Sequence, residues 1–151
     1  IPEWSKRIEH FKPLINARLE TLMEKITFKN LIQTSRCLVP ADGYFEWKKE
    51  EKEKIPFYFL RNDKKMIFIA AIFKDNQFCL ITEQAEKNVN EIHPRQPVIL
   101  FEKDVNNYLN LQIDGSIFLK NTNKPKLEFY KISKEVNKPT NNNISLIQKI
   151  N

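Results

Sequence analysis

Glycine is nearly missing from this chain: Gly43 and Gly115 are the only two in 151 residues. The shortage excludes glycine-rich phosphate loops, and neither a GxGxxG nor a Walker A pattern occurs. Turns must therefore be built from Asn, Asp and Pro, and Gly43 answers a specific backbone demand. Cysteine is equally scarce. Cys37 and Cys79 belong to no CxxC pair, which excludes a disulfide framework. His10 and His93 stand at no metal-ligand spacing from them, so neither a metal nor another cofactor is expected. Both cysteines sit in apolar company, RCLV and FCLI, the setting of buried free thiols, and a reducing, intracellular compartment follows. No apolar run approaches the length of a membrane span, and no secretory signal opens the chain. The chain starts at Ile1 rather than Met, and a natural N-terminus that is missing or processed is expected.

What is present is a core and a basic surface. Hydrophobic residues make up 41%, with 11 phenylalanines, enough for a single domain over residues 1–151 with a packed interior. The net charge of +6 points toward polyanions, nucleic acid first. Leu19, Leu22, Met23 and Ile26 recur at helical spacing, so ARLETLMEKI is predicted to be an amphipathic helix with Asn16 placed to cap it. IPFYFLR and MIFIAAIF read as a hairpin across NDKK, and QFCLIT as the next strand of a meander. PVILF and LEFYKIS are further strands. EKDVNNYLNL is a short helix with Val105, Tyr108 and Leu109 on one side, and residues 112–126 read as a loop. KKEEKEK reads as a solvated hairpin end, and Trp4 as a core residue. The fold class expected is α+β, a curled, barrel-like and mainly antiparallel sheet with a few short helices.

Three polar residues stand beside apolar anchors: Asn16 in LINARLE, Glu46 in PADGYFEWK and His93 in EIHPRQPVIL. In a strand, side chains alternate faces, so Phe45 and Trp47 share one face while Tyr44, Glu46 and Lys48 share the other. Taken singly, each polar residue has an ordinary structural role: a helix cap, a solvated carboxylate, a turn histidine. Brought together, a carboxylate, an imidazole and an orienting amide form a working acid–base site. Spacing alone does not decide between these, because the three are far apart in the chain.

The ordered set INAR, RCLVPADGYFEW and IHPRQPVIL, with IPEW before it and KISKEVN and SLIQKI after it, resembles the SOS-response-associated peptidase (SRAP) family. The resemblance runs over nearly the whole chain. It implies a protein that binds single-stranded DNA and crosslinks to abasic sites, with associated self-processing peptidase and lyase activity. It assigns Asn16, Glu46 and His93 to catalysis, Arg18 and Arg95 to DNA phosphates, and Trp47 to the DNA-binding face. The expected partner is single-stranded DNA with abasic sites. The expected protein is a monomer, cytoplasmic and nucleoid-associated if bacterial. Two positions depart from the family pattern: Gln96 replaces an apolar residue, and Pro94 stands where an acidic or polar one is common. The family nucleophile, a cysteine following the initiator Met, is not in this sequence, and a family-like segment before IPEW is expected to be missing from it.

The implied chemistry joins an N-terminal cysteine to the aldehyde of an opened abasic sugar through its amine and its thiol, giving a thiazolidine. Cys37 and Cys79 have no free α-amine and cannot replace that residue. Two other functions fit parts of the sequence. One is a non-catalytic single-strand-binding module that uses the basic surface and Trp47 but not Glu46 or His93. The other is a thiol hydrolase with Cys37 or Cys79 as nucleophile and His93 as base.

Overall fold

The computed structural model describes residues 16–150; the expectations for Trp4 and the IPEW segment lie outside them. In chain order the regular elements are β1 (Asn16–Arg18), α1 (Ile26–Thr34), β2 (Arg36–Ala41), β3 (Tyr44–Glu50), β4 (Glu53–Arg61), β5 (Ile67–Lys74), β6 (Gln77–Gln84), β7 (Arg95–Pro97), β8 (Ile99–Leu100), α2 (Val105–Leu109), α3 (Gly115–Asn121) and β9 (Leu127–Lys131). This is the α+β class expected, with short helices and mainly antiparallel strands. The chain divides into two compact units. One takes in the described residues up to Pro40, with Phe68–Glu83 and Pro97–Pro125; the other takes in Ala41–Ile67, Gln84–Gln96 and the described residues from Lys126.

The first unit is built on strands in the order β1-β6-β5-β2, with β8 paired to β5. The β5–β6 pair is a tight hairpin, Lys74 opposite Gln77, turned by Asp75 at φ 54°. β1 runs parallel to β6, Ala17 opposite Ile81. Ala17, Ile72, Cys79, Ile81, Leu100, Tyr108 and Leu119 are sealed from solvent with Phe28 and Ile32 in one cluster. Each large side chain there contributes about 1.5–3 kcal/mol through burial. The Tyr108 hydroxyl donates to the Ala71 carbonyl at 2.8 Å, so the deepest polar group of this cluster is satisfied.

Helix positions differ from the periodicity. Asn16 is a strand residue, not a cap, and Leu19–Thr21 form a single 3-10 turn. The helix begins at Ile26, where Phe28, Leu31 and Ile32 supply the buried stripe. Leu19 and Leu22 are still buried, because a spacing of three serves a 3-10 turn as well as an α-helix. The predicted loop at 112–126 contains α3. Asp114 caps it by accepting from the Ile117 N–H at 2.8 Å. Gly115 admits the neighbouring chain: a Cβ there would meet Arg36 Nη1 at 2.7 Å and the Ile32 carbonyl at 2.8 Å. In α2, Tyr108 is buried but Leu109 is 42% exposed, so the two do not share a buried side.

The second unit holds the antiparallel sheet β3-β4-β9. β3 and β4 pair from Tyr44 opposite Phe59 to Glu50 opposite Glu53. The highly charged stretch is thus the hairpin end expected, with Glu51 turning at φ 28°. β4 then pairs with β9, Tyr58 opposite Tyr130. β4 and β5 do not form the expected hairpin. The segment between them is organised by Arg61, 1% exposed, whose guanidinium grips both oxygens of Asp63 at 2.9 and 2.6 Å and the Met66 carbonyl at 3.1 Å. That clasp sends the chain into the other sheet. At the C-terminal end, SLIQKI forms a 3-10 turn over Ile144–Ile147 and a single bridge between Ile132 and Lys149.

Candidate active site

β3 carries the site. Its entry is set by Gly43, where a Cβ would lie 2.3 Å from the Phe59 carbonyl and 2.5 Å from the Tyr58 ring. The glycine is needed for close approach and not for a positive φ. Strand alternation then sorts the side chains. Tyr44 stacks on Phe59 across the ladder, ring centres 4.9 Å apart. Glu46 follows on the same face, opposite Phe57, and its Oε1 accepts from the Trp47 N–H at 3.0 Å. Phe45 and Trp47 occupy the other face, Phe45 against Tyr58 at 5.5 Å.

His93 reaches Glu46 from a loop of the same unit. That loop is closed at its neck by the Ala85 N–H donating to the Pro94 carbonyl at 3.0 Å and by the Glu86 N–H donating to Gln96 Oε1 at 2.9 Å. Val89 and Ile92 anchor it in the interior, and the His93 N–H donates to the Val89 carbonyl at 3.1 Å. Both departures from the family pattern lie at this neck. Gln96, 5% exposed, is a polar residue in an apolar position because its amide oxygen has a backbone donor. Pro94 contributes only its carbonyl, the one backbone group it retains.

The imidazole Nδ1 lies 2.9 Å from the Arg95 carbonyl and 3.7 Å from Glu46 Oε2. The Arg95 backbone N–H lies 3.2 Å from the same nitrogen, so Nδ1 accepts from that N–H when it carries no proton and donates to the Arg95 carbonyl when it does. Nε2 makes no hydrogen bond among the described residues and is left for proton exchange. The Glu46 side chain is 27% exposed and that of His93 38%, so a solute has access to both. Tyr44 differs. Its hydroxyl is buried and has no hydrogen-bond partner among the described residues. Burial pushes this phenol well above its ordinary range, and the Glu46 charge adds to the shift.

The other sequence-derived residues are placed as follows. Trp47, on the face opposite Glu46, donates its indole N–H to Asn137 Oδ1 at 2.7 Å. Nothing in the spacing pointed to Asn137, which lies 90 residues away. Arg95 is half-buried and adjoins the imidazole through its backbone. Asn16 and Arg18 belong to the first unit, exposed on one face of β1 with buried Ala17 between them. Burial pushes the Cys37 thiol up and that of Cys79 up to about 11. This is the opposite of an activated thiol nucleophile. Among the described residues, no group of three or more His, Cys, Asp or Glu side chains could hold a metal ion. No helix there is long and apolar enough to cross a membrane.

An α+β framework of mainly antiparallel sheets bearing a carboxylate–imidazole pair is the class of protein these features define. The X-ray structure of a protein from Bacteroides thetaiotaomicron is similar to this chain, with a TM-score of 0.77 and 29% identity over 89% of this chain and 65% of that one. Residues 1–139 match the family model for SOS response associated peptidase (SRAP), and the chain belongs to that family. It is 31% identical to "Abasic site processing protein YoqW" of Bacillus subtilis, across 98% of this chain and 72% of that protein. It is 39% identical to "Abasic site processing protein YedK" of Escherichia coli, across 68% of this chain and 50% of that protein. The chain thus spans between half and about three-quarters of these relatives.

Proposed function

We propose that this chain is the Glu46- and His93-bearing part of a protein that binds single-stranded DNA and crosslinks itself to abasic sites. The observation that carries this function is the 3.7 Å approach of His93 Nδ1 to Glu46 Oε2 on a solvent-accessible sheet face, in a chain of net charge +6. The names of the SRAP relatives point to the same substrate.

The chemistry runs in four steps. Glu46 takes the proton of the C1 hydroxyl of the closed sugar as the bond from C1 to the ring oxygen breaks. That oxygen takes a proton from His93 Nε2, and C1 becomes an aldehyde. The α-amine of an N-terminal cysteine adds to C1, and a proton moves from nitrogen to oxygen. Glu46 returns its proton to the C1 hydroxyl, which leaves as water while nitrogen yields its proton to His93, giving an imine. The cysteine thiol then adds across C=N, sulfur bonding to C1 and its proton going to nitrogen. One water is released in all, and Glu46 and His93 end as they began. An α-amine suits the attack because its ordinary pKa, about 7.7–8.0, leaves part of it neutral near pH 7. Asn16 keeps the role of an amide for that amine; Arg18 and Arg95 keep that of phosphate contacts, and Trp47 that of an aromatic for a base.

The intact N-terminus of the full-length protein is sequenced, and the protein is incubated with abasic single-stranded DNA. A denaturant-resistant adduct is expected from a protein beginning with cysteine. Glu46→Gln should slow its formation by about 100-fold or more while DNA affinity is retained. An unchanged rate removes Glu46 from catalysis. No adduct, with equal affinity for abasic and intact strands, leaves a non-catalytic binding module.

A further inference from the structure

The Tyr44 hydroxyl is the polar group of the site that the four steps do not use. Folded proteins rarely leave a buried hydroxyl without a partner. This one belongs to a side chain fixed by stacking on Phe59, two residues before Glu46 and on the same strand face. A partner that arrives with the ligand accounts for a buried hydroxyl with none among the described residues. The charge beside it narrows the ligand's chemistry. An anionic group is repelled by the Glu46 carboxylate. A neutral hydroxyl can instead donate to Glu46 and accept from Tyr44 at once.

We infer that Tyr44 is a substrate-contacting residue whose hydroxyl donates to the C1 oxygen of the abasic sugar, held between Tyr44 and Glu46. Glu46 is partly exposed, and a sugar bound against it meets the strand face that Tyr44 shares. When Glu46 removes the C1 hydroxyl proton, that oxygen becomes the aldehyde carbonyl and the Tyr44 bond stays on it. The donor then polarises the carbonyl as the amine adds and negative charge grows on oxygen. Tyr44 gives up no proton; it supplies a hydrogen bond that strengthens through the step. This role deepens the crosslinking function and rests on it.

Tyr44→Phe removes one oxygen and keeps the stacking. In the full-length protein the variant should form adduct at least about tenfold more slowly. Its affinity for a strand carrying a tetrahydrofuran analogue, which lacks the C1 hydroxyl, should stay within twofold. Its thermal midpoint should not fall, since the hydroxyl has no partner among the described residues to lose. An adduct rate within twofold of the parent overturns the inference, as does a slower rate with a lowered midpoint, the mark of a structural role. If the parent protein forms no adduct, the crosslinking function fails, and Tyr44 is judged by equilibrium binding. A preference for the deoxyribose site over the tetrahydrofuran site that Tyr44→Phe abolishes supports the contact. No preference in the parent overturns it.

Discussion

A single methyl group at Gly43 would sit 2.3 Å from the Phe59 carbonyl, closer than carbon and oxygen tolerate, so β3 or β4 would have to shift. Because Glu46 lies three residues on, that shift would carry the carboxylate with it. Gly43→Ala should lower stability by about 1–3 kcal/mol in urea unfolding and also slow adduct formation, whereas a substitution at exposed Lys54 should change neither. PADGYFEW marked this glycine as special; the reason came from β4, whose carbonyl crosses behind it. Glu46 and His93 show the same limit. Each was legible as a polar residue beside an apolar anchor, but their approach depends on the loop neck at Ala85 and Gln96, which no local pattern encodes. The partner of Trp47, Asn137, was hidden for the same reason.

Helix α3 illustrates the next scale. Its seven residues begin with glycine and serine, poor helix formers, and the segment read as a loop. The signal that could have found it is Asp114, three residues before Ile117, with Phe118 and Leu119 to follow. The Ile117 N–H holds the Asp114 carboxyl below the usual carboxylate range, and the Gln33 amide adds to this. Asp114→Ala should cost about 1 kcal/mol near neutral pH. A carboxyl lowered in the folded state stabilises fully above its unfolded value, about 3.9, and less as pH falls through its folded value. The stability gap between parent and variant, read by urea titration from pH 7 downward, should therefore narrow below about pH 4. A gap constant down to pH 2 would mean that the ionised cap contributes nothing. Strands obey the same lesson. β4 and β5 were both visible as apolar runs, yet the Arg61–Asp63 clasp directs them into different sheets.

For the whole molecule, charge sets the expectation. Affinity for single-stranded DNA should fall with salt, with a slope of about 0.7 in log–log form for each phosphate neutralised. Arg95→Gln should reduce that slope by about one such contact in a fluorescence titration from 50 to 300 mM salt. An affinity indifferent to salt would exclude this footprint.

The α+β class, most strand locations, the basic balance and the SRAP resemblance were determined by the residues themselves, since periodicity, composition and motif are local properties of the chain. Which strands pair, where helices start, that Glu46 lies near His93, and that the Tyr44 hydroxyl is buried without a partner among the described residues were decided only in three dimensions. Those outcomes depend on contacts between residues distant in sequence, whose energies compete with local preference and frequently exceed it.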